Sequence, residues 1–217
     1  MELRELFRTL YSVDHPQGCT DEEINTVKEI FGTLPAVVED FWRTFGRTQR
    51  LNCVQDTWIL PEHYSKWSWP GASEFLVLLN ENQGCCQAGI RREDLSLPDP
   101  PVYEFVNDEA QELISPSVSE FLKAALTYEA VWQMEYASEE FYWLTDGELT
   151  EVQGKLTKHS AVLKNWMEYE FTFYSNRPDN LLVVIDVGDQ YQCLFGAATE
   201  ESYLELIDVM EGLGEPL

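Results

Sequence analysis

The stretch TDEEINTVKEIFGTLPAVVEDFWRTFG, residues 20–46, contains the start and stop signals of two consecutive helices. Its opening Thr20-Asp-Glu-Glu23 matches a capping box, in which the Thr20 hydroxyl accepts a backbone N–H and the Glu23 carboxylate reaches back. Apolar residues at helical spacing follow, and Gly32 ends the first helix. Pro35 then stands in the first turn of the second helix, where its missing N–H costs little.

The second of these helices is rich in aromatic residues. Phe41, Trp42 and Phe45 lie at helical spacing, so we expect them in the core, and Gly46 ends the helix. Before this stretch, Glu2–Leu10 predicts a short amphipathic helix. The first part of the chain is therefore predicted to be helical.

Two further helices are predicted later in the chain. Ser115 followed by Pro116 is typical of an N-cap and a first helical position, and we expect this helix to run to about Tyr136. Thr199 caps the final helix, with acidic residues at its positive end. The residues expected to pack inward from this helix are Tyr203, Leu206, Ile207 and Met210.

Between and after these helices the hydrophobic pattern becomes typical of strands. The predicted strands are Val54–Leu60, Phe75–Leu79, Cys85–Ile90, Val102–Val106, Phe141–Leu144, Tyr169–Tyr174, Leu181–Val187 and Tyr191–Phe195. Asn80–Gly84 predicts a hairpin turn, and Asp146-Gly147 predicts another turn. Because helices and strands do not alternate in βαβ units, the pattern predicts an α+β fold with a mixed or antiparallel sheet packed by helices.

The charge of the chain is strongly unbalanced. Asp and Glu number 39 against 14 Lys and Arg, which gives a formal net charge of −25 over 217 residues. Solubility alone needs a magnitude of only about 2–8 in a small domain, and a larger excess costs self-repulsion. Nucleic acids and anionic membranes bind clustered Lys and Arg, so both are disfavoured as ligands. The charge favours a basic protein partner.

Cysteine and histidine usage indicates reduced thiols and no metal site. No CxxC pair occurs, and His is present only three times. The N-terminus lacks the apolar run of a signal peptide, and no segment approaches the ~20 apolar residues that span a bilayer. We therefore expect a cytoplasmic protein without cofactor or metal. The five cysteines are Cys19, Cys53, Cys85, Cys86 and Cys193.

The sequence contains no assembled catalytic motif. It has no G-x-S-x-G nucleophile elbow and no phosphate-binding Gly loop. Asp186 and Asp189 bracket a hairpin turn; paired carboxylates can serve acid–base chemistry, but local hydrogen bonding in a turn also explains them. Cys85 and Cys86 are either a reactive thiol pair or small core residues. We expect no enzymatic activity.

The stretch at residues 20–46 resembles the opening of the SUKH superfamily of Smi/Knr-like proteins. The matching positions there are Glu23, Gly32, Leu34, Pro35, Phe41, Trp42 and Gly46. Later positions that resemble the family's central sheet and closing helix are Ile59-Leu60-Pro61, Phe75–Leu79, Gly84, Ile90, Pro100–Tyr103 and Ser117–Leu122. The resemblance covers roughly residues 20–130.

This resemblance implies a SUKH-like domain over residues 1–140. Residues 141–217 depart from the short family core; they either complete the same sheet or form a small second domain, and we expect an α+β extension packed on the same core. The resemblance implies no known catalytic activity. Many bacterial members are immunity proteins that neutralise a cognate toxin, often a nuclease, and fungal relatives are signalling scaffolds.

Two acidic groups and one aromatic pair are the candidate partner-binding residues. The first group precedes Ser115 and consists of Glu104, Asp108, Glu109 and Glu112. The second surrounds the strand at Phe141 and consists of Glu135, Glu139, Glu140, Asp146, Glu148 and Glu151. The aromatic pair is Trp67 and Trp69, in a predicted loop. The acids either dock on a basic cleft or form a solvated face, and the Trp pair either anchors an interface or covers one edge of the core.

The sequence therefore predicts a protein that acts by binding. The leading hypothesis is an immunity protein that occludes the basic active-site cleft of a toxin domain, most simply a nuclease. The alternative is a cytoplasmic scaffold or regulatory adaptor that uses the same surface for an endogenous protein. A third hypothesis is an enzyme with an unrecognised carboxylate site.

Overall fold

The computed structural model describes residues 2–52 and 55–217, which divide into two compact units. The continuous segment His15–Leu122 forms one, here called the central unit. The residues up to Asp14 join Lys123–Leu217 to form the other, here called the terminal unit. The boundary between residues 140 and 141, inferred from the family resemblance, stays a prediction.

Helices and antiparallel strands make up both units, which confirms the predicted α+β class. The described helices are α1 (Leu3–Leu10), α2 (Asp21–Phe31), α3 (Ala36–Phe45), α4 (Pro61–Lys66), α5 (Ser68–Ala72), α6 (Val118–Val131), α7 (Asp146–Lys155) and α8 (Glu200–Met210). The described strands are β1 (Thr57–Trp58), β2 (Phe75–Asn80), β3 (Gln87–Arg91), β4 (Val102–Val106), β5 (Glu109–Ser115), β6 (Tyr136–Ala137), β7 (Tyr142–Leu144), β8 (Thr157–Trp166), β9 (Tyr169–Ser175), β10 (Asn180–Asp186), β11 (Tyr191–Ala197) and β12 (Glu215–Pro216). Gln49–Asn52 and Arg92–Asp94 form short 3₁₀ turns. None of these helices is long and apolar enough to cross a membrane.

The helical pair at residues 20–46 forms as predicted, except that Pro35 precedes the second helix instead of standing in its first turn. The Thr20 hydroxyl accepts the Glu23 N–H at 3.3 Å, and the Glu23 carboxylate accepts the Thr20 N–H at 2.8 Å, so the capping box opens α2. Gly32 follows the last turn of α2 with φ +81°, a left-handed conformation that glycine adopts without steric cost. Pro35 is the N-cap of α3 and lies just before its first turn.

The central unit packs its helices with a five-stranded antiparallel sheet in the order β1-β2-β3-β4-β5. Trp58 of β1 lies at the centre of its core, with its ring 5.7 Å from that of Phe41 and 6.2 Å from that of Phe121. Asn107 and Asp108 close the β4–β5 hairpin, and both have positive φ. Two such residues are the signature of a type I′ turn, whose twist matches the flanking strands.

The terminal unit contains the second antiparallel sheet, in the order β12-β7-β11-β10-β9-β8, with β6 also paired to β11. Helices α7 and α8 pack with this sheet, and their buried residues share a core with its strands. Leu206 of α8 and Val152 of α7 are fully buried there, together with Leu182 of β10. The sheet therefore buries one stripe of each helix and leaves the other stripe exposed.

Several predicted elements differ from the structure. Asp146-Gly147 opens helix α7 rather than forming a turn, because Thr145 and Glu148 make a second capping box. The cap of α6 is Ser117, whose hydroxyl accepts the Glu120 N–H at 3.2 Å, whereas Ser115 ends strand β5. The predicted strand Val54–Leu60 is shorter, at Thr57–Trp58, and its first residue lies outside the described residues.

Candidate functional site

Trp67 and Trp69 lie where two short helices meet, rather than in a loop. Trp67 is the C-cap of α4, and its N–H donates to the His63 carbonyl at 2.8 Å; α5 begins at the next residue. Trp67 is 39% exposed and Trp69 is 41% exposed. Each indole therefore packs on the protein with part of its surface and presents the rest to solvent.

The two indoles extend a stack that begins inside the protein. The His63 imidazole is stacked on Trp67, with centroids 4.5 Å apart and planes 11° apart. Trp67 is followed by Trp69 at 6.4 Å and 16°. His63 is buried, and its Nδ1 accepts the Leu60 N–H at 3.0 Å, so the neutral ring carries its proton on Nε2. Burial lowers the pKa of His63.

An exposed aliphatic side chain lies against the same helix. Helix α2 contacts α5, and Ile30 lies beside Gly71, where an added Cβ would stand 3.5 Å from Ile30 Cδ1. Ile30 is 36% exposed. We call Trp67 and Trp69 the aromatic patch, and Ile30 lies beside the helix that carries Trp69. Large exposed apolar side chains that form a group are typical of protein-binding sites, and Trp is enriched among residues that dominate binding energy.

The first acidic group is divided by the structure. Glu104 is only 6% exposed, and its carboxylate accepts a hydrogen bond from the Cys86 thiol. Its predicted place on a docking surface is therefore wrong, because β4 turns this side chain into the interior. Asp108 accepts hydrogen bonds from the Ser73 hydroxyl at 2.6 Å and the Glu74 N–H at 3.0 Å.

The other three members of that group, Asp108, Glu109 and Glu112, are exposed to solvent. Glu109 and Glu112 are exposed on β5, which is an edge strand of the central sheet. Charged residues on an edge strand oppose pairing with other strands. These two carboxylates therefore suit a solvated edge and remain candidates for contact with a basic partner.

Asp108 also lines an open cleft of about 430 Å³ in the central unit. Arg92 lies in the wall of this cleft, but its guanidinium already has partners within the protein. It donates to the carbonyls of Ser73 and Gly71 and lies 4.3 Å from the centroid of the Phe31 ring. Because these contacts hold its guanidinium, Arg92 stabilises the local structure instead of being available to bind a ligand. The cleft mixes both charges and offers no cluster of free cations for an anionic ligand.

The second acidic group is divided in the same way. The Glu148 carboxylate accepts the Thr145 N–H at 2.8 Å and the Gly214 N–H at 2.9 Å, and these bonds lower its pKa. The Glu148 carboxylate therefore holds two backbone segments of the terminal unit together and is not free to contact a partner. Asp146 is exposed but faces the Tyr191 phenol and raises its pKa. The remaining members are exposed: Glu135, Glu139, Glu140 and Glu151.

The basic residues do little to offset the acidic surface. Lys28 pairs with Glu39 at 2.6 Å, Arg47 pairs with Glu23, and Lys66 pairs with Glu62 at 2.7 Å. The central unit holds 18 acidic and 7 basic residues, and the terminal unit holds 21 and 7. Both units therefore remain strongly anionic after their ion pairs form.

The groups that resemble catalytic residues are held in structural arrangements. The Cys85 thiol donates to the buried Glu81 carboxylate, and burial raises the pKa of both Cys85 and Cys86, which disfavours the reactive thiolate. Asp186 accepts the Gly188 N–H at 2.9 Å, as expected for a turn.

One hydrogen bond has the geometry of a nucleophile and its base. His159 Nε2 lies 2.8 Å from Ser175 Oγ, across strands β8 and β9. A catalytic triad also needs a carboxylate that orients the imidazole, and none bonds to His159 in residues 2–52 and 55–217. Within the same residues, no group of three or more His, Cys, Asp or Glu side chains is arranged to hold a metal ion.

The sequence pattern indicates the Trp pair as a candidate surface, but it does not indicate Ile30 or the stacking of His63 on Trp67. The signal at Ile30 is weaker: this residue is large, apolar and outside the stripe formed by Ile24, Val27 and Phe31. Comparison of the chain with protein-family models, with curated proteins and with solved structures found no match. The SUKH resemblance therefore stays a prediction.

Proposed function

We propose that this chain is a non-catalytic, acidic binding protein of the cytoplasm, and that it acts as an immunity protein. It neutralises a cognate toxin, most simply a nuclease domain, by occluding the toxin's basic active-site cleft. The observation that carries the proposal is the aromatic patch: two indoles stacked on a buried imidazole, each about two-fifths exposed, on a strongly anionic unit.

The geometry of the patch supports binding because its rings are already ordered. Trp67 lies between His63 and Trp69 in one stack, so little side-chain freedom remains to be lost when a partner arrives. Indoles also stack favourably on guanidinium and ammonium groups. An Arg or Lys side chain of a basic partner is therefore a suitable contact for the exposed face of Trp69.

The charge supports a partner that itself binds nucleic acid. Nuclease clefts need Lys and Arg to hold phosphates, and an anionic protein is steered towards such a cleft at rates that fall as salt rises. The exposed carboxylates of Glu109, Glu112 and the second acidic group supply this field. The SUKH resemblance supports the immunity role, since many bacterial members neutralise toxins.

The alternative is a scaffold or regulatory adaptor for endogenous proteins. The distribution of charge favours it, because both units carry a large acidic excess rather than one of them alone. A scaffold would hold several partners weakly, whereas an immunity protein would hold one partner tightly. The number of partners recovered therefore separates the two.

The test is a tagged pull-down from the source cells at low and high salt, with mass spectrometry of the captured proteins. We expect a single basic toxin domain that is depleted at high salt. Trp69→Ala should weaken its capture, by about 30-fold in affinity if the indole contributes roughly 2 kcal/mol. Leu97→Ala, at another exposed apolar residue of the central unit, is the matched control.

Two results would contradict the proposal. Recovery of several housekeeping proteins would favour the scaffold. Equal capture by Trp69→Ala and the wild type would remove the aromatic patch from the interface. If the toxin comes only from neighbouring cells, growth of cells with and without the chain in the presence of those neighbours measures protection directly, and absence of protection would reject the immunity role.

A further inference from the structure

Hydrogen bonds anchor helix α8 of the terminal unit to the residues at the start of strand β10. The Ser202 hydroxyl bonds to both carboxylate oxygens of Asp179, at 2.7 and 2.8 Å, and the Asn180 amide donates to the Ser202 carbonyl at 3.2 Å. Leu206 is fully buried in the core of the unit. The helix therefore has one fixed orientation, and its opposite side is presented to solvent as a preformed surface.

That opposite side is not polar. Leu204 is 54% exposed and Ile207 is 40% exposed. Residues three apart lie on the same face of a helix, so the two side chains are neighbours. Ile207 was predicted to pack inward, and the structure contradicts this, because the buried stripe runs through Ser202, Leu206 and Val209 instead. Solvation of two adjacent large aliphatic side chains is unfavourable and would be relieved by a partner.

The carboxylates on this helix fall into two kinds. Glu201 and Glu205 both pair with Arg177, at 2.9 and 2.7 Å, on one flank of α8. Glu200 and Asp208 lie beside the aliphatic pair, four residues before and four residues after Leu204, and both are exposed. Across residues 2–52 and 55–217, no cation forms an ion pair with either of them. The unneutralised acids therefore flank the exposed apolar residues.

We propose that this surface, Glu200, Leu204, Ile207 and Asp208, binds a basic amphipathic helix of a partner protein; we call it the α8 outer face. A helix that carries Leu or Ile at positions three and four apart would cover the aliphatic pair. Lys or Arg residues beside that stripe would face the unpaired carboxylates. A second copy of the chain would bring Glu200 and Asp208 against like charges, which opposes self-association.

This inference does not depend on the toxin or on the aromatic patch, since the α8 outer face belongs to the terminal unit and the patch belongs to the central unit. It rests only on the part of the proposed function that makes the chain a binding protein. Substitutions in the α8 outer face should leave binding at the aromatic patch unchanged, and the reverse. An experiment can therefore refute one proposal without refuting the other.

The test uses two labelled peptides of roughly 14 residues, about four helical turns. One is a Leu/Lys sequence with its leucines on one helical face, and the other is a scrambled isomer of identical composition and charge. Fluorescence anisotropy with the full chain should show the amphipathic peptide binding at least about tenfold tighter than its isomer. Equal binding of the two would overturn the proposal, because it would show charge attraction alone.

Variants then locate the surface. The double variant Leu204→Ser/Ile207→Ser should weaken binding about tenfold, whereas Leu97→Ser/Tyr169→Ser, at exposed apolar residues elsewhere, should not. Glu200→Gln/Asp208→Asn should weaken binding more than the charge-matched Glu168→Gln/Asp189→Asn, at exposed residues of the same unit outside α8. Equal losses in test and control variants would overturn the assignment.

Two further measurements test the proposal, and the first needs only the unmodified chain, so it holds even if a variant fails to fold. Slowed amide exchange in α8 on addition of the amphipathic peptide would support the surface, and slowed exchange confined to other elements would overturn it. Light scattering gives the oligomeric state. A dimer of the wild type that Leu204→Ser/Ile207→Ser abolishes would assign the face to self-association and overturn the proposal of a basic partner.

Discussion

The buried imidazole of His63 and the half-exposed indole of Trp67 lie face to face, with centroids 4.5 Å apart and planes 11° apart. The stack connects the interior of the central unit to its candidate binding surface. His63 Nδ1 is occupied by the Leu60 N–H, so the ring keeps this orientation as long as it is neutral. The protonation state of one buried group therefore bears on the position of both exposed indoles.

We predict that stability falls below about pH 6.5 in a way that depends on His63. Burial lowers its pKa from the usual 6.5, so on acidification the unfolded chain takes up a proton before the folded chain does. The stability that the neutral His63 contributes is complete at pH values above the pKa of His63 in the unfolded chain. It is lost progressively as the pH falls from that value to the lower pKa of His63 in the folded chain. Urea unfolding of the wild type and of His63→Asn, compared from about pH 7.5 to 5.5, measures it.

The variant His63→Asn keeps an acceptor for the Leu60 N–H but does not titrate, so its stability should vary less over this range. Leu97→Ala, at an exposed residue of the same unit that carries no titratable group, is the control and should preserve the pH dependence of the wild type. Identical slopes for the wild type and His63→Asn would show that His63 does not titrate differently on folding.

Glu148 should stabilise the terminal unit more than an ordinary helix cap does. Thr145→Ala removes one cap and should cost about 1 kcal/mol. Glu148→Ala should cost more, because it also leaves the Gly214 N–H without its acceptor. Amide exchange at Gly214 should accelerate in Glu148→Ala and not in Thr145→Ala, and Glu151→Ala on the same helix is the control. Unchanged exchange at Gly214 would contradict this role.

Glu81 should be needed for the hairpin between β2 and β3. Its buried carboxylate accepts the backbone N–H of Gln83 at 2.8 Å and of Cys85 at 3.3 Å. Glu81→Ala would leave these donors unsatisfied and should reduce the free energy of unfolding by about 1–3 kcal/mol. Glu109→Ala removes the same charge from an exposed position on this sheet and should have little effect. Equal stability of the two variants in urea would refute the prediction.

Two glycines should respond to alanine in opposite directions. A Cβ at Gly18 would overlap the backbone carbonyl oxygen of Arg43, which cannot rotate away, so Gly18→Ala should destabilise the chain by about 1–3 kcal/mol. A Cβ at Gly154 in α7 would meet nothing within 4 Å. Gly154→Ala should therefore stabilise by roughly 0.5–1 kcal/mol through helix propensity. Urea midpoints that move the same way for both variants would contradict this account.

The helices at residues 20–46 were predictable because their signals are local. The capping box joins Thr20 to Glu23, three residues away, and Gly32 ends α2 with its own backbone conformation. Apolar spacing also placed Phe41, Trp42 and Phe45 in the core, where the structure buries all three. Such features depend on neighbours within one or two helical turns, so the sequence carries them without knowledge of the fold.

The acidic groups were less predictable, because a carboxylate looks the same in sequence whether it faces solvent or the interior. Glu104 is buried by the strand that carries it, and Glu148 bonds to Gly214, 66 residues away. Neither outcome follows from spacing along the chain. Each depends on which residues the sheets bring opposite that side chain.

Composition alone established that this chain is strongly anionic, and local signals alone established its first helices, since net charge is a sum over residues and a cap is a bond between near neighbours. Which large side chains remain outside was settled by tertiary packing. Ile207 and Leu206 are adjacent aliphatic residues of α8, yet one is 40% exposed and the other is fully buried. The physical reason is that a sheet covers one side of a helix, and its position fixes the buried stripe.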